Sequence, residues 1–271
     1  MKIALVIPTY KPHFIYLHRL CKNAAEQTRL PDLVIIRASS CDTDEARAEL
    51  TALSVEAWPF PLKILETPSQ QYQAQNRNEG VAAVPSDFDA VSFFDSDDMM
   101  HPRRLELIES LFLQGAEAVL HDCEKGNSAP IWEHYDTVHH VWDSILLQKE
   151  SAIQCGNQII SRSVMIKHCS GTVVPAEYEI TFLRPIPMDE HLEETLGTHF
   201  GHVSVLLRIM KDIQFDLAAL GYEDAKFVSD IVYNRHKTAS INAKLSYYTF
   251  HNAGSGRSVS ISTSRDSAYS E

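Results

Sequence analysis

Short apolar runs recur through the first half of the chain, each followed by a stretch whose apolar residues return at helical spacing. Ile3 to Ile7 is the first run, closed by Pro8-Thr9-Tyr10, and Phe14, Leu17, Leu20 and Cys21 follow on one helical face. Leu33 to Ile36 reads as a second buried strand. After it, Asp42 with Glu45 three residues later predicts a capping-box start for a helix carrying Ala46, Leu50 and Leu53. Leu62, Ile64 and Leu65 form a third strand, and a helix is expected through Asn78 to Ala83. Ala90 to Phe94 is the fourth strand. His101-Pro102 launches a helix with Leu105, Ile108, Leu111 and Phe112 on one side, and Val119-Leu120 begins a fifth strand. Alternation at this pace predicts an α/β fold: parallel βαβ units, Rossmann-like, in a mostly parallel central sheet with helices on both faces.

The alternation stops near residue 124. Glu133 to Trp142, rich in histidine and aromatics, reads as a hairpin or a lid. Ser151 to Met165 and His202 to Met210 read as a helix or strand pair around a loop with Pro175, Pro185 and Pro187. Gly221-Tyr222-Glu223-Asp224 opens a helix with Phe227, Val228, Ile231 and Val232, and Leu245 to Phe250 is a last strand. From Ala253 serine dominates and a disordered tail is expected. The expected division is 1–124 for the βαβ half, 125–252 for an α+β extension of the same domain, and 253–271 for the tail.

A formal charge of −12 argues against a nucleic-acid backbone as partner. The five cysteines are odd in number, widely spread and never in a Cys-x-x-Cys pair, so neither a zinc site nor a disulfide framework is expected. No stretch reaches the ~20 apolar residues of a membrane span, and the N-terminal run is too short for a signal peptide. A cytoplasmic protein is expected, with a position peripheral to a membrane left open, as is its oligomeric state.

Within this frame Phe93-Phe94-Asp95-Ser96-Asp97-Asp98 stands out, because acids interrupt a buried strand at its C-terminal end. Ligands of such sheets bind beyond those strand ends. In extended chain Asp95 and Asp97 would point the same way, and two convergent carboxylates require a cation, a proton or water. The alternative is a solvated, aspartate-rich turn. Other stretches would border the same crevice: Pro8-Thr9-Tyr10, Gln75-Asn76-Arg77-Asn78-Glu79-Gly80, Glu223-Asp224 and His251. Gly80 would allow close backbone approach, and Arg77 could fork onto phosphate. Glu223 and Asp224 are equally what a helix dipole favours in a first turn.

Taken together, Val6-Ile7-Pro8-Thr9-Tyr10, Arg77-Asn78-Glu79-Gly80, Asp95-Ser96-Asp97-Asp98, Glu223-Asp224 and Tyr248-Thr249-Phe250-His251 resemble a family 2 glycosyltransferase with the GT-A fold, from Ala4 to about Ser255. The resemblance implies a nucleotide-diphosphate sugar donor bound by the 1–124 half, with a UDP-linked donor left open, a glycan or other hydroxyl acceptor bound by the catalytic 125–252 half, and Mn²⁺ or Mg²⁺. It implies Asp97 as main metal ligand, Asp95 on metal or ribose, and His251 as the imidazole ligand, with His236 as competitor. Asp224 would be the base and Glu223 its catalytic partner. Pro8, Thr9, Tyr10, Arg77, Asn78 and Ser96 would hold the donor, and Asp98 and His202 would face the acceptor. His134, His139 and His140 read as ordinary loop residues.

One departure is plain: Arg37-Ala38 stands where the family carries acidic residues that read the base and ribose, which puts uridine recognition in question. Two other classes compete with this reading. A haloacid-dehalogenase-like phosphatase needs Thr or Val where Met99 stands, and a non-catalytic nucleotide- or sugar-binding protein of the same fold is favoured only by Arg37-Ala38.

Overall fold

The central strand, β1 (Ile3–Tyr10), is apolar throughout its first half because both of its faces are covered. Leu5 and Ile7 pack on one side with Phe14, Leu17, Leu20, Leu50 and Leu53, whereas Val6 packs on the other with Ala74, Phe215, Phe227 and Val228. The computed structural model describes residues 1–126, 130, 132, 142–155, 158–169, 180–183, 200–221 and 223–249. β2 (Leu33–Ser39) and β4 (Ala90–Phe93) flank β1 in parallel, with Val6 opposite Ile35 and Phe93, and β3 (Leu62–Glu66) extends the sheet beyond β2. Helices α1 (Leu17–Ala25) and α2 (Asp44–Val55) cover the first face, and α3 (Gln73–Ala82) covers the second. This half is the parallel, two-faced arrangement expected from the sequence.

Beyond β4 the sheet becomes mixed. β10 (Ser204–Leu206) runs antiparallel between β4 and β6 (Ala118–Gly126). β11 (Thr238–Thr249) then lies parallel to β6, and pairs antiparallel with β5 (Met99–Met100) and β9 (Ile180–Leu183). β7 (Trp142–Cys155) continues parallel to β9 and turns back into β8 (Gln158–Cys169), so the helix-or-strand question over 151–165 resolves as an antiparallel hairpin. Helix α4 (Arg104–Leu113) packs on the sheet beside β11, and α5 (Glu223–Tyr233) packs Phe227, Val228, Ile231 and Val232 into the same core as Val6. Among the described residues no helix is long and apolar enough to cross a membrane, and Cys21 and Cys41 are free thiols.

Three local expectations shift. The cap of α2 is Thr43, whose hydroxyl accepts from the Ala46 amide at 3.3 Å, and Asp44 and Glu45 then fall in the first turn where the helix dipole favours acids. A short 3-10 turn, Lys11–Tyr16, precedes α1. β11 begins well before Leu245, because Ala239, Ile241, Ala243 and Leu245 alternate into one core cluster; small alanines at two of these positions hide the period of two. The expected hairpin or lid at 133–142, apart from Trp142 at the start of β7, lies outside the described residues, as do Pro175, Pro185 and Pro187 and the serine-rich tail.

Gly80 has a specific role here. A Cβ at this position would stand 2.6 Å from Val6 Cγ1, so the close approach it permits is of α3 to β1. Val6 is fully buried and branched at Cβ, and therefore cannot yield cheaply. Gly80→Val is expected to lower unfolding stability by about 1–3 kcal/mol through overpacking. An unchanged urea midpoint would show that α3 can lift off β1 without loss.

Candidate active site

Phe94 ends the buried run, and the chain then turns instead of continuing extended: the Asp98 amide donates to the Asp95 carbonyl at 3.3 Å. The expectation that Asp95 and Asp97 share one side rests on extended geometry and does not hold in a turn. Asp95 and Asp98 point inward, and the Asp97 carboxylate instead lies 3.6 Å from His13 Nδ1. Residues 95–98 are all at least 97 % buried, so a solvated turn is excluded.

The inward side of the turn meets His202. This residue closes a 3-10 turn, Phe200–His202, that leads into β10, and the antiparallel insertion of β10 beside β4 brings it under the acids. His202 Nε2 lies 3.1 Å from Asp98 Oδ2 and 4.0 Å from Asp95 Oδ2, while its Nδ1 lies 2.9 Å from the Ser246 hydroxyl. The Phe94 ring stacks on the imidazole at 4.1 Å and 10°. Asp98 Oδ1 accepts from the Thr249 amide at 2.9 Å, which ties the end of β11 to the turn. One ligand atom from each of Asp95, Asp98 and His202 can be chosen so that all lie within 4.8 Å of one another. Two carboxylates with an imidazole form a donor set that suits Mn²⁺ better than Mg²⁺. Asp98 and His202, expected on the acceptor side, are therefore buried together beneath the turn.

Arg77 joins this cluster to the second acidic motif. It emerges from α3 almost completely buried, with Nη2 2.8 Å from Asp95 Oδ1 and Nη1 3.1 Å from Glu223 Oε1, and its guanidinium lies over the Phe215 ring at 5.1 Å. Burial opposes its charge, yet Asp95, Glu223 and Asp224 outweigh that and hold its pKa above the ordinary value. Glu223 is pushed up, chiefly by burial; Arg77 pulls it down, and Asp224 and Asp95 add to the rise. Asp224, in the same first turn of α5, remains partly exposed and caps the Ala225 amide with Oδ1 at 2.7 Å. The fork expected to grip phosphate thus grips two carboxylates from opposite ends of the sequence.

The donor-side expectations fall at the C-terminal end of β1. The Thr9 carbonyl accepts from Asn76 Nδ2 at 3.2 Å and from the Ser39 hydroxyl at 3.3 Å, and the Tyr10 ring packs against His13 at 4.6 Å. Pro8 precedes them in the same strand, and Ser96 is buried within the turn. Asn78 acts between segments, giving Nδ2 to the Phe215 carbonyl at 2.8 Å and accepting the Phe215 amide at 3.0 Å. Arg37 is fully committed: Nε reaches Glu79 at 2.8 Å, Nη2 reaches the same oxygen, and Nη1 reaches the Ala38 and Leu65 carbonyls at 3.1 Å. The end of β2 therefore presents neither a carboxylate nor a free guanidinium.

His251 lies outside the described residues, as do His134, His139 and His140. His236 closes α5 with its amide on the Ile231 carbonyl at 3.2 Å and sets its ring 3.6 Å from Glu117, at the opposite end of β11 from Asp98. His13 was not singled out in the sequence; its short step from Tyr10 was the available signal.

Residues 4–168, from β1 through β8, match the family model described as glycosyl transferase family 2. The fold also superposes on S. aureus TarS 1-349 in complex with UDP-GlcNAc, with a TM-score of 0.57 and 14% identity over 93% of this chain and 60% of that one. The same TarS fragment in complex with UDP gives 0.55, 15% identity, 92% and 61%. This chain thus spans about three fifths of the TarS fragment it matches. No curated protein sequence matches it. The sheet order, with its parallel first half and β10 inserted between β4 and β6, is the GT-A-like arrangement. The family match covers more than half of the residues and carries the acidic turn at the end of β4, and the chain belongs to glycosyl transferase family 2.

Proposed function

We propose that this protein is a metal-dependent, inverting glycosyltransferase that moves a sugar from a nucleotide diphosphate to a hydroxyl acceptor. The observation that carries the reading is the Arg77 bridge, which ties Asp95, just past the C-terminal end of β4, to Glu223, next to Asp224 at the start of α5. Asp95, Asp98 and His202 would hold Mn²⁺ or Mg²⁺, which supplies Lewis-acid stabilisation to the departing diphosphate. Asp97 and His251 form the ligand pair that the family resemblance suggests instead. Loss of metal-dependent donor binding in Asp97→Ala but not Asp98→Ala would favour that pair.

Asp224 removes the acceptor proton: it is the partly exposed member of the acidic pair, whereas Glu223 is buried against Arg77 and anchors the first turn of α5. Attack from the Asp224 side, with the diphosphate leaving from the opposite face, inverts the anomeric centre. On the donor side, Thr9 Oγ1 and Asn76 Oδ1 are buried at the end of β1 with no hydrogen-bond partner among the described residues, and a ribose or base would satisfy them. The TarS complexes with UDP and UDP-GlcNAc make uridine diphosphates the first donors to try, and the engaged Arg37 makes a broader base panel necessary.

Thermal unfolding with a panel of nucleotide-diphosphate sugars, with and without Mn²⁺, tests the reading. A donor at a hundredfold its Kd is expected to stabilise the protein by ~2.7 kcal/mol, several degrees in Tm, and only when the metal is present. No stabilisation by any donor would overturn the proposal. Phosphate release without sugar transfer would point to a phosphatase, and donor binding without turnover to a binding protein.

A further inference from the structure

Behind the acidic turn sits another buried guanidinium, that of Arg104. Arg104, the first residue of α4, is completely buried. Its Nε donates to His121 Nε2 at 2.9 Å, Nη1 to the Ser92 hydroxyl at 2.8 Å, and Nη2 to the Phe93 and His202 carbonyls at 3.1 and 2.7 Å. Among the described residues no carboxylate pairs with it, and burial lowers its pKa to about 9. An unpaired buried cation is expensive, and an aliphatic side chain would fill the same space without that cost. What the guanidinium holds must therefore be considered.

Nη2 bridges the two backbone points from which the cluster departs: Phe93, two residues before Asp95, and His202 itself. The guanidinium also lies 4.9 Å from the centre of the Phe94 ring, whose plane stacks on the His202 imidazole. One group thus fixes both the backbone carbonyl of His202 and the plane of its ring. The donor itself is fixed in turn. Because His121 Nε2 accepts from Arg104, its ring proton is on Nδ1, which donates to the Asp122 carbonyl at 3.0 Å. The planar fork satisfies these acceptors at once, which a lysine ammonium on a flexible stem cannot.

We propose that Arg104 is a positioning residue that sets the spacing between His202 and the acidic turn Asp95–Asp98, and thereby the affinity of that cluster for a divalent cation. The proposal rests on the reading of Asp95, Asp98 and His202 as a cation site. It is tested with Mn²⁺ alone, by titrating the full chain and measuring free Mn²⁺ by electron paramagnetic resonance. Arg104→Lys and Arg104→Met are compared with wild type well below each variant's Tm. Partners that orient metal ligands typically contribute about 10–100-fold in affinity, and both folded variants are expected to bind Mn²⁺ that much more weakly. Donor turnover should return toward the wild-type kcat at saturating Mn²⁺, a rescue that general destabilisation would not give.

Wild-type Mn²⁺ affinity in both folded variants would overturn the proposal alone. Absence of Mn²⁺ binding by the wild-type protein would overturn the cation reading and the proposal with it. If neither Arg104 variant folds, His121→Leu, which removes the acceptor of Nε along with the Nδ1–H on the Asp122 carbonyl, decides the matter: weakened Mn²⁺ binding supports the proposal and wild-type affinity overturns it.

Discussion

Asp224→Asn is expected to bind the nucleotide-sugar donor as wild type does and to transfer sugar about 10²–10⁴ times more slowly. The size of the effect follows from the division of labour at the start of α5. Glu223 is buried and engaged with Arg77, so it shapes the turn. Asp224 lies beside it, partly exposed, with one carboxylate oxygen on the Ala225 amide. Asparagine keeps the size and the capping oxygen but cannot take a proton. Stability should therefore change little while turnover collapses. Single-turnover transfer assays with calorimetric donor titrations separate the two effects, and substantial retained turnover would remove Asp224 from the role of base.

Arg77→Met is expected to destabilise the fold by about 3–5 kcal/mol at neutral pH, because it leaves Asp95 and Glu223 buried without their cation. The pH dependence of the loss distinguishes this cause from a simple packing defect. Burial raises the Glu223 pKa, and Arg77 is the principal group holding it down. Without Arg77 the folded-state pKa rises further above the unfolded value, so the folded protein binds more protons than the unfolded chain in that window. Stability then falls as pH rises, and the deficit against wild type should be larger at pH 8 than at pH 5. Urea unfolding at both pH values measures it. A deficit independent of pH would assign the effect to packing alone. Arg77→Lys should recover only part of the loss, since a point charge cannot make two separated ion pairs as a fork does.

Much of the parallel half was legible because local pattern and tertiary demand coincide there. Ile3–Ile7 and Leu33–Ile36 are continuous apolar runs and Ala90–Phe94 is broken only by Ser92, and strands covered on both faces require near-continuous apolar composition. The start of α5 was equally visible, since Phe227, Val228, Ile231 and Val232 return at helical spacing into one core. β11 was only half visible, because Ala239 and Ala243 occupy core positions that a larger apolar residue would have announced. The hairpin of β7 and β8 remained ambiguous between helix and strand, a choice made by pairing between segments.

The acidic turn shows where reading along the chain ends. Sequence by itself determined that Asp95, Ser96, Asp97 and Asp98 interrupt a buried strand at its C-terminal end, and that a second acidic pair opens a late helix, because composition and periodicity are local. Only the tertiary structure decided which side chains meet. The turn closed by the Asp98 amide on the Asp95 carbonyl sends Asp97 toward His13 and turns Asp95 and Asp98 toward His202. Insertion of β10 beside β4 supplies that histidine, and the Gly80 contact of α3 with β1 sets the helix from which Arg77 reaches Asp95 and Glu223. These partners are far apart in sequence, and their separations depend on strand order and helix docking, which no local periodicity encodes.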